Sequence, residues 1–440
     1  MTLYYDFERE GPPVPEGPVL VTANHPNALV DPIVVFETAG RVVRPLAKAP
    51  LFEQALLGTV LRGLGGLPVY RRQDDPSLTH LNERTFDAAI AALHRGEAVQ
   101  IFPEGQSHSQ PSLTPLRTGA ARIALQAEDR AGWRLGLRIV PIGLTYQRKH
   151  VFRGRALATV GAPFEVAPWR AAWTADPHEA AQALTEEITR RLQEVTLNLT
   201  SEEDRELIEV AERLYVREKG WVRWREREGL GERLPRLQAF ARGLAWLRSN
   251  DPARHASLVR AVARYQRLLA RFGAQEGDVP PGYRGASAVV WAARQSAALL
   301  LLALPAAVGA LAWWVPYQIP RLVIRAVRPA HDAISTYKLA TALFAFPAAW
   351  VTWTLLAAWW NGRALALAVA LALPLCGLAA VAFTARVREV GEDLRVFLRA
   401  AGSRPAREGM ARMRAGLVDE FDRVLGEMSR APSGSGQSSR

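Results

Sequence analysis

The sequence predicts an α/β domain with a mostly parallel sheet, followed by amphipathic helices and a C-terminal membrane-embedded helical region. Three observations lead to this prediction. Short apolar runs alternate with helical stretches over about the first 165 residues, a section rich in Arg, Glu, Leu and Ala follows, and the last third carries long uncharged runs. With 440 residues, the chain is long enough for two or three domains.

The candidate strands of the first domain are apolar runs bounded by polar or turn residues, as buried strands are. They cover Val19–Val21, Val42–Leu46, Leu67–Tyr70, Ala98–Phe102, Ile139–Ile142 and Ala156–Val160. Helical spacing of apolar residues predicts helices over 50–62, 77–94 and 117–130. Because helices separate the strands, we expect crossover connections and a mostly parallel sheet.

Changes in composition divide the chain into five predicted parts. The α/β domain is followed by a helical region, then by membrane-embedded helices after a Gly- and Pro-rich linker, then by amphipathic helices and a disordered tail rich in Ser and Gly. Their bounds are 1–170, 171–276, 287–388, 389–431 and 432–440.

Three runs in the last third contain no Asp, Glu, Lys or Arg, and each is long enough for the ~20 residues that cross a bilayer. They cover Gln295–Pro320, Leu339–Trp360 and Ala364–Ala385. Only Asn361-Gly362-Arg363 separates the last two, which predicts a helical hairpin. Three prolines interrupt the first run: Pro305, Pro316 and Pro320.

The side of the membrane on which each segment lies is predicted from its charges. Arg-rich segments both precede and follow the hairpin, which favours the cytoplasmic side for both. The N-terminal residues have neither a basic leader nor a long apolar core, so we expect an integral membrane protein with its α/β domain in the cytoplasm. Either the first run dips into one leaflet and returns, leaving two spans, or all three runs cross; both remain open.

The composition also excludes several classes of site. A single cysteine, Cys376, rules out a disulfide within the chain, a cysteine-based zinc site and a cysteine nucleophile. The histidines show no metal-ligand spacing, so no metal and no cofactor is predicted. A net charge of +12 suits an anionic partner. The surplus arginines accompany long apolar runs, which favours membrane lipids over nucleic acid as that partner.

The candidate chemistry begins at the end of the first predicted strand. Polar and turn residues follow Val21, so His25 is placed at a strand tip, and Asp31 follows a few residues later. A histidine held by a carboxylate is the minimal unit for taking a proton from an alcohol. Taken alone, Asp31 could instead be a helix cap.

Three further strings follow in order. They are Gly65-Gly-Leu-Pro-Val-Tyr-Arg71-Arg72, then Phe102-Pro-Glu104-Gly105-Gln-Ser107-His108 with Arg117 downstream, then Val140-Pro141-Ile142. Together with the His25 string they resemble the four blocks of the glycerophospholipid acyltransferase superfamily, over residues 15–165. Residues 332–341 further resemble the fungal-type glycerol-3-phosphate/dihydroxyacetone-phosphate acyltransferase branch.

Two departures from the superfamily pattern stand out. Five residues separate His25 from Asp31, where the superfamily usually has four. Ser107 stands where the third block usually has arginine, so a phosphate contact must come from elsewhere. Arg71, Arg72 and Arg117 are the candidates, because guanidinium suits bidentate phosphate binding. His108 is interpreted as a solvated loop histidine.

The resemblance implies an O-acyltransferase in which a substrate alcohol attacks the thioester of acyl-CoA or acyl carrier protein. His25 would be the general base and Asp31 would orient its imidazole. Arg71, Arg72 and Arg117 would hold the phosphate, Glu104 and Gly105 would line the acceptor site, and Pro141 would shape the acyl-donor side.

The implied acceptor is glycerol 3-phosphate, and dihydroxyacetone phosphate is a further candidate. Three alternatives stay open: acylation of 1-acylglycerol 3-phosphate to phosphatidate, transacylation between lipids, and a non-catalytic membrane scaffold that binds lipid. The scaffold would be favoured if His25 and Asp31 lay out of reach of one another.

Overall fold

The computed structural model describes residues 4–71, 76–219, 228–271, 285–400 and 404–430. The chain forms two compact units. Unit 1 comprises Met1–Glu202, Gly229–Gln238 and Ala330–Thr336, and unit 2 comprises Glu203–Glu228, Ala239–Pro329 and Tyr337–Arg440. The predicted linker falls largely outside the described residues, and the predicted tail, 432–440, lies wholly outside them.

Unit 1 is built on an eight-stranded sheet. Its strands are β1 Tyr5–Glu10, β2 Val19–Ala23, β3 Val43–Lys48, β4 Leu67–Val69, β5 Ala98–Ile101, β6 Arg138–Gln147, β7 Gly154–Val160 and β8 Phe164–Glu165. The order across the sheet is β1-β7-β6-β2-β5-β3-β4, and β8 pairs with β6. Only β7 and β8 run antiparallel to β6, so the predicted mostly parallel sheet is confirmed.

The helices of unit 1 cover the sheet and bury its apolar side chains. They are α1 Val30–Ala39, α2 Ala55–Gly63, α3 Asn82–His94, α4 Gly119–Arg130, α5 Arg170–Ala175 and α6 Pro177–Val195. One core joins β2 and β5 to α3, α4 and α6 through Leu20, Val99, Leu93, Leu125 and Leu184, all fully buried. The amphipathic face of α6 thus belongs to the α/β unit, beyond the boundary predicted at residue 170.

Two features of the sheet differ from the prediction. Strand β6 continues five residues beyond Ile142 to Gln147, because its second half pairs with β7 instead of β2. Strand β1 was not predicted, since its sequence is mostly charged. It lies at the sheet edge, pairs with β7 and buries only Tyr5 fully within its span.

The polar helices that follow are α7 Glu202–Glu218, α8 Leu230–Asn250 and α9 Pro252–Arg271, with α13 Arg404–Arg430 at the far end of the chain. Within unit 2, the Phe240 ring packs edge-on against both Tyr215 and Phe421, with centroids 5.5 and 5.4 Å away. The Arg254 guanidinium donates to Glu420 at 2.5 Å and to Glu427 at 2.7 Å. These contacts join α13 to α8 and α9, and α7 to α8.

The apolar helices are α10 Gly285–Ala312, α11 Trp314–Val327 and α12 Ile334–Ala400, and they belong to unit 2 except for residues 334–336 at the start of α12. Helix α12 is two helices joined at Asn361 and Gly362, whose backbone angles are non-helical, at the position predicted for the hairpin turn. Indole N–H groups link the helices: Trp313 donates to the Leu373 carbonyl at 3.0 Å and Trp353 donates to the Ala312 carbonyl at 3.1 Å.

Two segments of the described chain are long and apolar enough to cross a membrane by length and composition, Ala293–Ala312 and His331–Arg388. Their large side chains face outward. More than three-quarters of the surface of each of the following is exposed: Leu300, Leu301, Leu304, Leu311, Trp359 and Trp360. Such a continuous apolar surface is unusual on a water-soluble protein. The two alternatives of two or three membrane spans both stay predictions.

Candidate active site

The sheet order brings the sequence motifs together. Strand β2 lies between β5 and β6 and is parallel to both, so the residues after β2 and β5 emerge at the same edge of the sheet. Asn24 fixes the first of these ends, because its side-chain amide donates to the Leu144 carbonyl at 3.0 Å and accepts from the Leu144 N–H at 2.6 Å. The carboxyl edge of parallel strands is where α/β folds place their sites.

His25 and Asp31 are in direct contact. The imidazole Nδ1 lies 2.9 Å from Asp31 Oδ2, and the Asp31 side chain is fully buried whereas that of His25 is 17% exposed. Asp31 stands in the first turn of α1, where the helix dipole favours a carboxylate. Its oxygens also accept from the Asn27 N–H at 2.6 Å and from the Tyr146 hydroxyl at 2.6 Å.

The loop between the two residues absorbs the extra residue of the motif. Ala28 has φ +41°, in the left-handed region that non-glycine residues seldom adopt. The turn around it closes with a 3.0 Å bond from the Val30 N–H to the Asn27 carbonyl, and α1 begins there. A five-residue spacing therefore still delivers the carboxylate to the imidazole.

One face of the His25 ring is covered by an aromatic side chain, and one of its two nitrogens has no hydrogen-bond partner in the described part of the chain. It stacks on Phe102, with ring centroids 3.9 Å apart and planes 8° from parallel. Because Asp31 occupies Nδ1, Nε2 is the nitrogen left to act, and it has no hydrogen-bond partner among the residues that the structure describes. In the tautomer in which Nδ1–H donates to the carboxylate, Nε2 is the nitrogen with a free lone pair and can accept a proton.

Both carboxylate oxygens of Glu104 accept hydrogen bonds from protein groups. Oε1 accepts from the His25 N–H at 2.9 Å, and Oε2 accepts from the Thr114 N–H at 2.8 Å, the Thr114 hydroxyl at 2.9 Å and the His108 imidazole. Burial opposes ionisation, but these hydrogen bonds outweigh it and hold the pKa of Glu104 below its ordinary value. The carboxylate thereby ties the end of β5 to the backbone of His25.

His108 is not the solvated histidine that the sequence suggested. Its side chain is 13% exposed and pairs with Glu104. Its own N–H donates to the His25 carbonyl at 3.1 Å. The contact forms because the loop after Gly105, which has φ +76°, turns back toward the end of β2.

The predicted phosphate ligands gather partly around Gly105. Arg71 Nη1 lies 3.4 Å from the Gly105 carbonyl, and a side-chain carbon on Gly105 would come within 2.7 Å of the exposed Arg117 guanidinium. Two cations thus meet the turn that follows Glu104. Arg72 lies outside the described residues.

Pro141 is placed differently from the other predicted site residues. It is buried in β6 opposite Thr22 of β2, and its ring packs where a side chain on Gly161 would be. Its carbonyl accepts from the Gly161 N–H at 2.8 Å.

Sequence reasoning missed Tyr146 and assigned no role to Phe102. Tyr146 is half-buried, and desolvation first, then the charge of Asp31, raises its pKa well above the ordinary value. The phenol therefore stays protonated and donates to Asp31. Tyr146 could have been found only if β6 had been predicted to extend to Gln147, and the apolar run that predicted this strand ends at Ile142.

The acyltransferase family model matches residues 7–145, the stretch that contains most of β1, all of β2 to β5, the His25–Asp31 pair and most of β6. This decides the family of the α/β unit. The N-terminal domain belongs to the acyltransferase family. This match, together with the similarity to two yeast glycerol-3-phosphate O-acyltransferases, confirms the resemblance to the glycerophospholipid acyltransferase superfamily.

Curated relatives of the acyltransferase domain come from yeasts. Glycerol-3-phosphate O-acyltransferase 2 of Saccharomyces cerevisiae is 36% identical over 135 residues, which cover 30% of this chain and 18% of that protein. Glycerol-3-phosphate O-acyltransferase 1 of the same yeast is 33% identical over 127 residues, 28% of this chain and 17% of that protein. This chain thus spans less than a fifth of the length of either relative.

Two further matches cover a larger share of this chain. An uncharacterized acyltransferase of Schizosaccharomyces pombe is 23% identical over 286 residues, 46% of this chain and 42% of that protein. A crystal structure of the 1-acyl-sn-glycerophosphate acyltransferase PlsC from Thermotoga maritima aligns with a TM-score of 0.33 and 19% identity, covering 44% of this chain and 73% of that one.

Proposed function

We propose that this protein transfers a fatty acyl group from a thioester to a hydroxyl of glycerol 3-phosphate, and that dihydroxyacetone phosphate is a second acceptor. The observation that carries the proposal is the 2.9 Å contact between His25 Nδ1 and buried Asp31, which leaves Nε2 to face the substrate. The sequence identity of 36% and 33% to two yeast glycerol-3-phosphate O-acyltransferases supports the choice of acceptor.

In the proposed reaction, His25 Nε2 takes the proton of the acceptor hydroxyl as its oxygen attacks the thioester carbonyl. The new C–O bond forms, the C–S bond breaks, and the imidazolium returns the proton to the departing thiolate of coenzyme A or the carrier protein. Asp31 holds the ring in the required tautomer and stabilises the imidazolium. No covalent acyl-enzyme is needed.

We assign the remaining residues from their positions. Arg71 and Arg117, which approach Gly105, would bind the acceptor phosphate, and Arg72 stays a candidate on the sequence pattern alone. Glu104 would position His25 rather than bind the acceptor hydroxyl, because both its oxygens already accept from protein groups. Gly105 would allow the substrate to approach the backbone.

We further propose that the protein is an integral membrane protein whose catalytic domain lies on the cytoplasmic side. The outward-facing apolar side chains of α10 and α12 support the insertion into a membrane, and the arginines on both sides of the predicted hairpin support the cytoplasmic side. A membrane location suits the reaction, because an acylated glycerol phosphate partitions into lipid.

The test is an acyl-transfer assay on the detergent-solubilised chain. Acyl-CoA and acyl carrier protein thioesters are offered with glycerol 3-phosphate, dihydroxyacetone phosphate and 1-acylglycerol 3-phosphate. We expect ester formation with the first two acceptors and a loss of about 10²–10⁴-fold in kcat for His25→Ala. His178→Ala, at an exposed histidine on α6, is the matched control.

Three outcomes would overturn parts of this proposal. Full activity in folded His25→Ala would remove the general-base role. Turnover with 1-acylglycerol 3-phosphate alone would make the protein a phosphatidate-forming enzyme. No transfer to any acceptor, from either donor, would favour the lipid-binding scaffold.

A further inference from the structure

A segment far along the chain is part of the α/β unit. Residues 330–336, here called the docking segment, belong to unit 1, although they follow α11 and include the start of α12. The segment comprises a short 3₁₀ turn, His331–Ala333, and the first residues of α12. Ser335 within it is fully buried.

The first contact of the docking segment is with the loop after Glu104. The Ser107 hydroxyl donates to the Asp332 carboxylate, and His331 Nδ1 lies 3.1 Å from the Ser109 hydroxyl. Ser107 is the residue that replaces the arginine usual in the third block. The next residue, His108, is the one that binds both Glu104 and the His25 carbonyl.

The second contact is with the turn between β6 and β7. The Ser335 hydroxyl donates to the Lys149 carbonyl at 2.7 Å, and the Tyr5 hydroxyl donates to the same carbonyl at 2.5 Å. Lys149 Nζ in turn donates to the Pro26 carbonyl at 2.9 Å and to the Ser109 hydroxyl at 2.8 Å. The turn therefore joins the docking segment to the residue next to His25.

The third contact reaches the His25–Asp31 loop itself. The Leu29 N–H lies 3.3 Å from the Thr336 hydroxyl oxygen, which can accept from it. Asn27, in the same loop, donates to Tyr5 at 2.9 Å. The docking segment thus touches both loops that hold the imidazole, and it does so through side chains that form specific hydrogen bonds.

We propose that residues 330–336 are a positioning segment of the acyltransferase site, and that Asp332 and Ser335 are its positioning residues. Asp332 holds the loop that presents Glu104 and His108 to the His25 backbone. Ser335 holds the turn from which Lys149 reaches Pro26. The segment contributes no reacting group, and its effect on the rate rests on the proposed function.

The chemistry of the Asp332 contact gives a sharp set of variants. Asp332→Ala removes the acceptor for the Ser107 hydroxyl, whereas Asp332→Asn retains an amide oxygen that can accept from it. Ser107→Ala removes the donor. Asp87→Asn, at a largely exposed aspartate paired with Arg130, is the matched control.

The first measurement is steady-state kinetics on the full-length solubilised chain. We expect Asp332→Ala to lower kcat about 10–100-fold with little change in KM, because small displacements of a general base are costly. Asp332→Asn should stay within about threefold of the native kcat, since its amide oxygen still accepts from Ser107. The double variant with Ser107→Ala should be no slower than Asp332→Ala, because the two residues act through one bond.

The second measurement does not depend on activity. Hydrogen–deuterium exchange of the backbone amides in 25–31 and 105–109 should become faster in Asp332→Ala and Ser335→Ala, and remain unchanged in Asp87→Asn. If the native chain proves inactive but exchange responds in this way, the positioning role of the segment stands and the proposed function falls.

Three results would overturn the proposal. The first is unchanged exchange in both loops of Asp332→Ala. The second is a rise in KM at constant kcat, which would make Asp332 a substrate ligand. The third is an Asp332→Asn variant as slow as Asp332→Ala, which would assign the effect to the charge instead of the hydrogen bond.

Discussion

Asp31 is held by donors from two different parts of the fold, one from its own loop and one from β6. The Tyr146 hydroxyl donates to Oδ1 at 2.6 Å, and the Asn27 N–H donates to Oδ2 at the same distance. Oδ2 also faces His25, so the two oxygens of one buried carboxylate have separate tasks. Fixing the carboxylate fixes the direction of the imidazole.

Removing the phenol hydroxyl should therefore weaken turnover. Tyr146→Phe leaves one lone pair of a buried carboxylate without its donor, at a cost of about 1–2 kcal/mol. We expect kcat to fall about tenfold at unchanged KM, because a tenfold change in rate corresponds to about 1.4 kcal/mol of activation free energy. Tyr317→Phe, at a 46% exposed tyrosine of α11, is the control. Unaltered kcat would show that Asn27 suffices to orient Asp31.

Glu104 should make the fold sensitive to acid. Its pKa in the folded protein lies below its ordinary value of 4.5, so the carboxylate contributes stability above pH 4.5 and loses that contribution as pH falls through the folded-state pKa. We expect the melting temperature of the native chain to drop more steeply below pH 4.5 than that of Glu104→Gln. Parallel melting curves of the two proteins between pH 7 and pH 3 would contradict this linkage.

At the scale of the element, the α/β prediction succeeded because the central strands are apolar runs that end in polar motifs. Strands β2 and β5 follow this rule, and the topology then places His25 and Glu104 together without further information. The His25–Asp31 pair was predictable because five intervening residues allow only a local loop.

Other elements could not be predicted from local sequence. Strand β1 is mostly charged and forms only because β7 offers an edge. The second half of β6, which carries Tyr146, owes its conformation to pairing with β7. The burial of His108 and the contact of Ser107 with Asp332 depend on approaches between loops that no periodicity encodes. Propensity and pattern act locally, whereas these contacts arise from tertiary structure.

Helix α13 offers a stability test of unit 2. Phe421 is 5% exposed and packs edge-on against Phe240, beside a small apolar cavity of about 30 Å³. Phe421→Ala should enlarge that cavity and lower the free energy of unfolding by about 3 kcal/mol. Hydrogen exchange of α9 and α13, read with the melting temperature, would detect the change. Phe36→Ala, at a 39% exposed position, should leave both unchanged; an equal effect at the two positions would refute the packing argument.

At the scale of the whole molecule, the acyltransferase domain is followed along the chain by a long series of helices. The alignments with the two yeast glycerol-3-phosphate O-acyltransferases cover less than a third of this chain. The apolar helices α10 and α12 lie outside the residues matched by the family model. The prediction that this protein is embedded in a membrane therefore rests on the exposed apolar side chains of these two helices.

The exposed leucines and tryptophans of α10 and α12 predict that the protein cannot be washed from membranes. A spanning helix resists alkaline carbonate, because its backbone hydrogen bonds are satisfied internally and its surface is apolar. We expect the chain to stay in the membrane pellet at high pH and to dissolve only in detergent, with a peripheral protein in the same preparation as the control. Release by carbonate alone would indicate attachment at the surface.

The contacts of Asp332, Ser335 and Thr336 also set an order of events during synthesis. The loops that contain Leu29, Ser107 and Lys149 leave the ribosome early, yet their hydrogen bonds to these three side chains cannot form until residue 336 has also left it. By then Ala293–Ala312 has already emerged. In a nascent chain, the first strongly apolar helix is therefore exposed before the loops around His25 form their hydrogen bonds to residues 332–336.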